Sequence, residues 1–251
     1  KDDYGNAITL DGSGNIFVTG SINNGTNSDI AVWKYDTNGS PVFSFGVNGR
    51  AIYPTGDPSF GNAIKITADG IYVAGNTGAW GSTRGIIVRF DQTGNADASF
   101  GTGGSALTSF GDSDINAMDI DSSGRIVAAG RSGSDMSLWR FNSGGITDTT
   151  FGSGGKQIYA NGTFYDLLFD SVGRILAGGG NSVGFSDQRF VVARYNQNGS
   201  LDTTFGTNGL AILDNGKIGY ANGMAFDSYG RLLLIGNTFY SVEGMMICRF
   251  K

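Results

Sequence analysis

Carboxylates are the side chains of this 251-residue sequence that could perform acid–base chemistry. One protonated and one ionised carboxyl group together can hydrolyse a glycosidic bond. Four aspartates on or just before recurring apolar segments are candidates for such a pair: Asp3, Asp114, Asp119 and Asp166. They recur irregularly, and Glu243, the single glutamate, lies in a predicted loop. We therefore expect no catalytic residues, and a carboxylate-based glycosidase is the alternative.

Missing residue types exclude several other chemistries. The sequence contains no histidine, which removes histidine-dependent acid–base catalysis and histidine metal sites. Cys248 is the only cysteine, which excludes a disulfide framework and a cysteine-cluster zinc site. The net charge of −5 argues against nucleic-acid binding. No apolar run approaches 18 residues, so we expect no direct insertion into a membrane.

Two recurring glycine motifs resemble ion or phosphate loops only superficially. Asp-x-x-Gly lacks the further oxygen ligands and the distal glutamate of a calcium loop. We interpret it as a tight turn in which glycine has a positive φ and aspartate caps the turn. Phe-Gly-x-x-Gly precedes no predicted helix and lacks the Lys-Ser/Thr of a phosphate-binding loop. We expect neither a metal nor a cofactor, and we interpret the motif's phenylalanines as packing between repeats: Phe45, Phe100, Phe151 and Phe205.

A basic residue closes one apolar segment of every repeat, and in three repeats an aspartate follows eight residues later. A charge on a packed strand needs a partner, and arginine suits a two-point grip on a carboxylate. In the first repeat both members change, to Lys34 and Val42. We therefore predict structural ion pairs that pin the chain after this segment, with a ligand site as the alternative. The pairs are Arg89 with Asp97, Arg140 with Asp148 and Arg194 with Asp202.

These motifs define five repeats. The basic residues stand at 34, 89, 140, 194 and 249, so the steps are 55, 51, 54 and 55 residues. The apolar runs are four to six residues long, rich in Ile, Val, Leu and Tyr, and bounded by Gly, Asn and Asp, which is typical of strands. A helical repeat would instead show a 3.6-residue period.

Each repeat predicts four strands. Strand A precedes Asp-x-x-Gly, strand B follows it, strand C carries the basic residue, and strand D follows Phe-Gly-x-x-Gly. Four antiparallel strands recurring about every 54 residues indicate a β-propeller. We predict an all-β, five-bladed β-propeller in one domain, residues 1–251. The approximate blades are 1–56, 57–110, 111–160, 161–214 and 215–251.

The fifth blade is predicted to lack its outer strand. Its strands A, B and C are present, but no Phe-Gly-x-x-Gly loop or strand D follows them. An unpaired strand edge is an aggregation hazard that natural proteins cover. We expect flanking segments of a longer chain to complete blade five, with strand addition by a partner subunit as the alternative.

The fourth repeat shows the fullest form of the motif, R194-Y-N-Q-N-G-S-L-D-T-T-F-G-T-N-G209. It resembles the delta-60 repeat of bacterial proteins, and the resemblance extends over essentially the whole chain. It is looser in the first repeat, where Val42 replaces the aspartate, and in the second, where the A–B turn is one residue short. The resemblance implies an exported bacterial β-propeller, extracellular or on the cell surface, and it implies no established enzymatic activity.

The loops that join strands B to C and D to A share one face of a propeller, and here they differ between blades. Their predicted ranges are 21–29, 76–85, 131–136, 180–189 and 237–244 for B–C, and 54–61, 109–115, 160–164 and 214–221 for D–A. Variable loops on a rigid scaffold are common binding sites, and aromatic rings beside polar groups suit sugars and proteins. Trp80 and Tyr240 are the leading candidate anchors. The other ligand-binding candidates are Phe60, Arg84, Phe110, Asp112, Asp114, Phe185, Tyr220 and Phe239, and Asp57 and Phe164 lie in the same predicted loops.

We therefore predict a non-catalytic binding or adhesion propeller of a bacterial surface or fibre protein. Its ligand would be a glycan or a protein recognised through the B–C and D–A face. A five-bladed glycosidase-like enzyme and a purely structural spacer are the alternatives.

Overall fold

The computed structural model describes residues 2–79, 81–109, 111–159, 161–182, 188–213, 218–240 and 242–249. Within these ranges the chain forms strands and turns, and no helix that could span a membrane is found. Nineteen strands are present in the described residues: β1 (Tyr4–Leu10), β2 (Ile16–Asn23), β3 (Ser28–Tyr35), β4 (Arg50–Tyr53), β5 (Ser59–Thr67), β6 (Gly70–Thr77), β7 (Arg84–Phe90), β8 (Ser105–Leu107), β9 (Ser113–Ile120), β10 (Ile126–Ser132), β11 (Asp135–Phe141), β12 (Lys156–Tyr159), β13 (Gly162–Phe169), β14 (Ile175–Ser182), β15 (Gln188–Tyr195), β16 (Leu210–Leu213), β17 (Ile218–Phe226), β18 (Leu232–Tyr240) and β19 (Val242–Arg249).

The strands form five sheets in which each strand pairs with the next one in the chain. Four sheets have four strands, namely β1–β4, β5–β8, β9–β12 and β13–β16, and the fifth consists of β17–β19. The pairing is antiparallel. The prediction of an all-β, five-bladed propeller fold whose last blade has three strands is therefore confirmed.

The chain divides into two compact units. The first comprises residues 1–118 and 141–146, and the second comprises residues 119–140 and 147–251. In the first unit, side chains from blades 1 and 2 form an apolar core that includes Phe17, Ile30, Val73 and Val88. In the second unit, blades 4 and 5 contribute to a separate core: Leu176, Phe190, Val192, Ala221, Met224, Leu232 and Leu234.

The Asp-x-x-Gly motifs form the predicted turns. Asp11 Oδ1 accepts hydrogen bonds from the backbone amides of Ser13 and Asn15, both at 2.9 Å. Gly14 has a φ of 81°, in the left-handed region that favours glycine. The same capping pattern recurs at Asp121, Asp170 and Asp227. Aspartate therefore shapes these turns with its own side chain.

The sequence pattern predicts that the A strands begin at Asn6, Asn62, Asn116, Tyr165 and Asn222. In the structure they begin two to four residues earlier, at Tyr4, Ser59, Ser113, Gly162 and Ile218. Four of them contain a register shift at their start, between Gly5 and Ala7, Gly61 and Ala63, Phe164 and Asp166, and Ala221 and Gly223. Such a β-bulge adds one residue and breaks the alternation of inward and outward side chains. The sequence pattern upstream of the bulge therefore predicts a loop, although the strand continues there.

Several predicted loop positions accordingly lie in strands. Phe60, Phe164 and Tyr220 belong to β5, β13 and β17, and Phe164 is fully buried. The prediction that residues 237–244 form a loop is wrong, because β18 extends to Tyr240 and β19 begins at Val242.

Candidate functional site

A cavity of about 400 Å³ opens where the D–A loop after blade 1 meets the B–C loop of blade 2. We call it the loop-face cavity, and it lies within the first unit. Its size falls within the usual range of small-molecule sites, roughly 300–1,000 Å³. Its lining consists of Tyr53, Pro54, Thr55, Asp57, Thr77, Gly78, Ala79, Ser82, Arg84, Ile86, Ser105 and Leu107.

A hydroxyl network fixes the two loops at one side of the loop-face cavity. Ser59 Oγ donates to Thr77 Oγ1 at 2.8 Å, and Thr77 Oγ1 lies 3.2 Å from Thr55 Oγ1. Thr55 Oγ1 also donates to the Asp57 carbonyl at 2.7 Å and contacts Ser59 Oγ. Because these bonds cross from the D–A loop to strand β6, the wall is organised before any ligand arrives.

Arg84 places a positive charge at the cavity. Its Nε and Nη2 donate to the Thr108 carbonyl at 3.2 and 2.9 Å, and the Gly85 amide donates to Thr108 Oγ1 at 3.0 Å. Within the described part of the chain Arg84 makes no ion pair, and the carboxylate of Asp57 accepts no hydrogen bond. One cation and one anion therefore line the same cavity with hydrogen-bonding capacity left for a ligand.

Tyr53 supplies an aromatic ring to the lining. Its hydroxyl donates to the Gly103 carbonyl at 3.2 Å, and its ring meets Phe90 edge-on with the centroids 6.4 Å apart. An aromatic ring beside hydroxyls, a carboxylate and a guanidinium suits a small polar ligand with both donors and acceptors.

The sequence located part of this lining. Arg84 and Asp57 were among the residues predicted for this face, whereas the roles of Tyr53, Thr55 and Thr77 were missed. The signal for Thr55 was the polar run immediately after strand D. Asp112, with a φ of 54°, and Asp114, within β9, do not belong to the lining.

The two remaining aromatic candidates that the structure describes, Phe60 and Tyr220, do not line the loop-face cavity. Phe60 is half-buried in β5, and the ring of Tyr220 lies 5.0 Å from that of Tyr165. Trp80, Phe110 and Phe185 lie outside the described residues, as do the side chains of Phe239 and Tyr240. Their roles stay predictions.

Three of the four aspartates considered for catalysis, Asp3, Asp119 and Asp166, accept hydrogen bonds from backbone amides. Asp166 Oδ2 accepts the Met224 amide at 2.5 Å, and its Oδ1 accepts the Leu167 amide at 2.8 Å. Burial raises the pKa of Asp166, and the negative charge of Asp119 adds to the rise. Asp3 Oδ1 accepts the Asn23 amide at 3.1 Å. No group of three or more acidic or cysteine side chains in the described ranges could hold a metal ion.

The structure places each predicted arginine–aspartate pair in contact. The Nε–Oδ2 distance is 2.8 Å for Arg89–Asp97, Arg140–Asp148 and Arg194–Asp202 alike. In the third blade the Arg140 side chain is only 3% exposed and that of Asp148 16% exposed. Burial of this degree means that each charge depends on its partner.

Each of these arginines also lies over the phenylalanine of the following Phe-Gly-x-x-Gly loop. The guanidinium carbon is 5.1 Å from the Phe100 ring in Arg89, 4.7 Å from Phe151 in Arg140 and 4.6 Å from Phe205 in Arg194. These distances are typical of cation–π contacts, which sequence reasoning missed.

Blade 1 keeps the cation–π contact, and no ion pair of Lys34 is found among the residues that the structure describes. Lys34 Nζ lies 5.0 Å from the Phe17 ring and 5.8 Å from Phe45. Val42, at the position of the missing aspartate, packs against the apolar core of blades 1 and 2. The joint change of Lys34 and Val42 therefore replaces a polar connection with an apolar one.

Comparisons with known proteins match segments of the chain to two β-propeller families. Residues 67–100, 122–151 and 173–205 match the sequence pattern of a family described as a domain of unknown function (DUF5122) β-propeller. Residues 1–27 match a second family, described as a β-propeller repeat. Both matches support a β-propeller repeat family, with which the resemblance to the delta-60 repeat is consistent. No curated protein matches it.

Solved structures show distant similarity at 13% identity. One is a hypothetical protein from Leishmania major, with a TM-score of 0.47 over 99% of this chain and 85% of that chain. A protein of unknown function from Bacteroides caccae has a TM-score of 0.43 over 93% and 72%. A bifunctional GH43-CE protein from Bacteroides eggerthii has a TM-score of 0.45 over 99% of this chain and 34% of its own length.

Proposed function

We propose that this chain is a non-catalytic recognition propeller that binds a glycan through the loop-face cavity. The observation that carries the proposal is the pairing of Asp57 and Arg84 in one cavity, with neither group neutralised by a described partner. Both groups stand beside the ring of Tyr53 and hydroxyls held in place by the network of Thr55.

A sugar residue matches this lining group by group. Its hydroxyls donate to the Asp57 carboxylate, accept from the Arg84 guanidinium and exchange hydrogen bonds with the threonine and serine hydroxyls. Its apolar ring face packs on an aromatic side chain such as that of Tyr53. A polar segment of a protein would use the same donors and acceptors and is the alternative ligand.

The lining favours binding over hydrolysis. Asp57 is the one carboxylate among the described lining residues, whereas glycoside hydrolysis usually uses two. Asp166, whose raised pKa would suit a general acid, is engaged with the backbone amides of Met224 and Leu167. We place the protein outside the cell, on a bacterial surface or fibre, because of its low charge, its glycine content and its resemblance to exported repeats.

A glycan array tests the proposal directly. We expect the wild-type chain to bind a restricted set of glycans without releasing reducing sugar. Arg84→Gln should weaken that binding about tenfold or more, because a bidentate charged donor is lost. Arg125→Gln is the matched control, since Arg125 belongs to an Asp-x-x-Gly turn and pairs with Asp121. An empty array would reject the glycan in favour of a protein ligand, and released reducing sugar would identify an enzyme.

A further inference from the structure

The turn between strands C and D of one blade sits on the Phe-Gly pair of the preceding blade. The Gly46 amide donates to the Thr93 carbonyl at 2.7 Å, and the Gly101 amide donates to the Gly144 carbonyl at 2.7 Å. In the second unit, the Gly152 amide donates to the Asn198 carbonyl at 2.9 Å. Three blade junctions therefore repeat the same contact.

An arginine of the preceding blade binds the same turn one residue earlier. Arg89 Nη1 donates to the Ser143 carbonyl at 3.1 Å, and Arg140 Nη1 donates to the Gln197 carbonyl. The ion-pair arginine thus has two functions: Nε holds its own aspartate and Nη1 holds the next turn. The sequence predicts that each pair holds only the connection within its own blade. The structure adds that the arginines of blades 2 and 3 also hold the turn of the next blade.

The glycine that closes each turn is required by this contact. A Cβ at Gly94, Gly145 or Gly199 would lie 2.8–2.9 Å from the amide nitrogen of the preceding blade's glycine and 2.8–3.0 Å from its phenylalanine ring. All three glycines also have φ between 82° and 91°. The turns read D91-Q-T-G94, N142-S-G-G145 and N196-Q-N-G199, so the seated sequence is Asp/Asn-x-x-Gly.

We call the Phe-Gly pair and the arginine that bind the next blade's turn the seat of a blade. In the fourth blade the seat consists of Phe205, Gly206 and Arg194, and a cavity opens beside it. This turn-face cavity, of about 420 Å³, lies within the second unit and is lined by residues that include Asp170, Arg174, Arg194, Phe205, Phe226 and Arg231. Phe205 is half-buried, whereas Phe45, Phe100 and Phe151 are at most 2% exposed.

Two hydrogen-bond donors of this seat also have no acceptor among the described residues. Arg194 uses Nε for Asp202 and Nη2 for Thr204, and its Nη1 has no described acceptor. No described turn sits on the Gly206 amide. In addition, β19 pairs with β18 on one side, and no described strand pairs with its other side.

We propose that the turn-face cavity binds an Asp/Asn-x-x-Gly turn of another polypeptide segment, whose following strand pairs with β19. The carbonyl before the turn glycine accepts from the Gly206 amide, and the preceding carbonyl accepts from Arg194 Nη1. The glycine itself lies against the Phe205 ring. The ligand is thus a segment with the chemistry of the protein's own C–D connection, and the strand adds by β-augmentation.

A synthetic peptide tests this proposal without altering the fold. The probe is a fluorescent peptide with the sequence of residues 195–213, which contains the turn, the Phe-Gly-x-x-Gly loop and a D strand. We expect saturable binding to the 251-residue chain by fluorescence anisotropy. The same peptide with Gly199→Val should bind about tenfold more weakly or not at all, because the added side chain meets the Phe205 ring.

Protein variants locate the binding. Ser171→Trp places an indole in the turn-face cavity from an exposed turn position and should abolish peptide binding. Ser122→Trp is the matched control, because it occupies the same turn position in the third blade, whose seat is filled by Gln197 and Asn198. The absence of saturable binding below about 1 mM peptide, or equal effects of the two variants, would overturn the proposal. Self-association of the chain that Gly39→Asn removes would also overturn it. The Asp36–Gly39 turn of a second copy would then be the occupant, and the strand that follows that turn, β4, already pairs with β3 and could not pair with β19.

Discussion

Arg140 and Asp148 form an ion pair across the C–D connection of the third blade, with Nε 2.8 Å from Oδ2. The guanidinium also lies 4.7 Å from the Phe151 ring and donates to the Gln197 carbonyl of the next blade. One buried side chain therefore joins a connection, an aromatic ring and a neighbouring blade, all within the second unit.

Removing Asp148 should leave the Arg140 charge buried without its carboxylate. We expect Asp148→Ala to lower the free energy of unfolding by about 3 kcal/mol. Asp97→Ala removes the corresponding carboxylate of the second blade, where the side chain of Arg89 is 16% exposed and that of Asp97 26% exposed. This variant should lower the free energy of unfolding by only about 1 kcal/mol. Chemical denaturation of both variants gives the comparison. Equal losses would show that burial of Arg140 does not set the cost.

The first blade offers the reciprocal experiment. Val42→Asp alone should destabilise the chain by about 1 kcal/mol, because it removes apolar packing and gives the carboxylate only a lysine that lies over two rings. Combining it with Lys34→Arg should recover most of that loss by rebuilding the pair of the other blades. A double-mutant cycle measures the coupling, which we expect to be about 1 kcal/mol. A coupling near zero would mean that the joint change of Lys34 and Val42 has no energetic basis.

The repeated features of the fold could be predicted because each is encoded within one repeat. The eight-residue spacing of Arg140 and Asp148 spans a single connection, and the Asp11 turn is capped by its own side chain. Because the interacting residues are close together in the sequence and recur in each repeat, the number of blades, the order of the strands and the ion pairs could be predicted from their spacing.

Features that depend on how strands pair or on how neighbouring blades meet could not be predicted in the same way. The bulge between Phe164 and Asp166 breaks the alternation from which strand A was inferred. The contact of Arg140 with Gln197 joins residues 57 apart, and the hydroxyl network of Thr55 and Thr77 joins residues 22 apart. Their sequence signal is no stronger than that of any other polar residue in a loop.

The two leading aromatic anchors, Trp80 and Tyr240, can be tested by truncation. Trp80 directly follows Ala79, a lining residue of the loop-face cavity, and Tyr240 stands at the end of β18. We expect Trp80→Ala and Tyr240→Ala to weaken ligand binding while lowering the melting temperature by no more than a few degrees. Asn198→Ala, in a C–D turn, is the control and should bind normally. A loss of binding in Asn198→Ala equal to that in Trp80→Ala would reject this face as the binding surface.

Stability should fall in acid because several aspartates are held in their ionised form. The Thr204 hydroxyl, together with Arg194, lowers the pKa of Asp202 to about 2. At Asp91 burial opposes ionisation, but hydrogen bonds from Thr93 and Asn95 outweigh it and lower the pKa to about 2. Asp97 and Asp148 shift in the same direction through their own turn residues and arginines. A folded-state pKa below the unfolded value of about 3.9 means that the unfolded chain binds more protons in acid.

The stabilisation of the folded chain by these carboxylates is therefore fully present above about pH 4 and is lost as the pH falls toward 2. Melting temperatures measured between pH 6 and pH 2 should stay nearly level above this range and drop within it. In Asp202→Asn the drop should be shallower, because one group that takes up a proton on acid unfolding has been removed. A melting temperature that rises between pH 4 and pH 2 would contradict the direction of these shifts, and an unchanged slope in Asp202→Asn would remove Asp202 from the acid response.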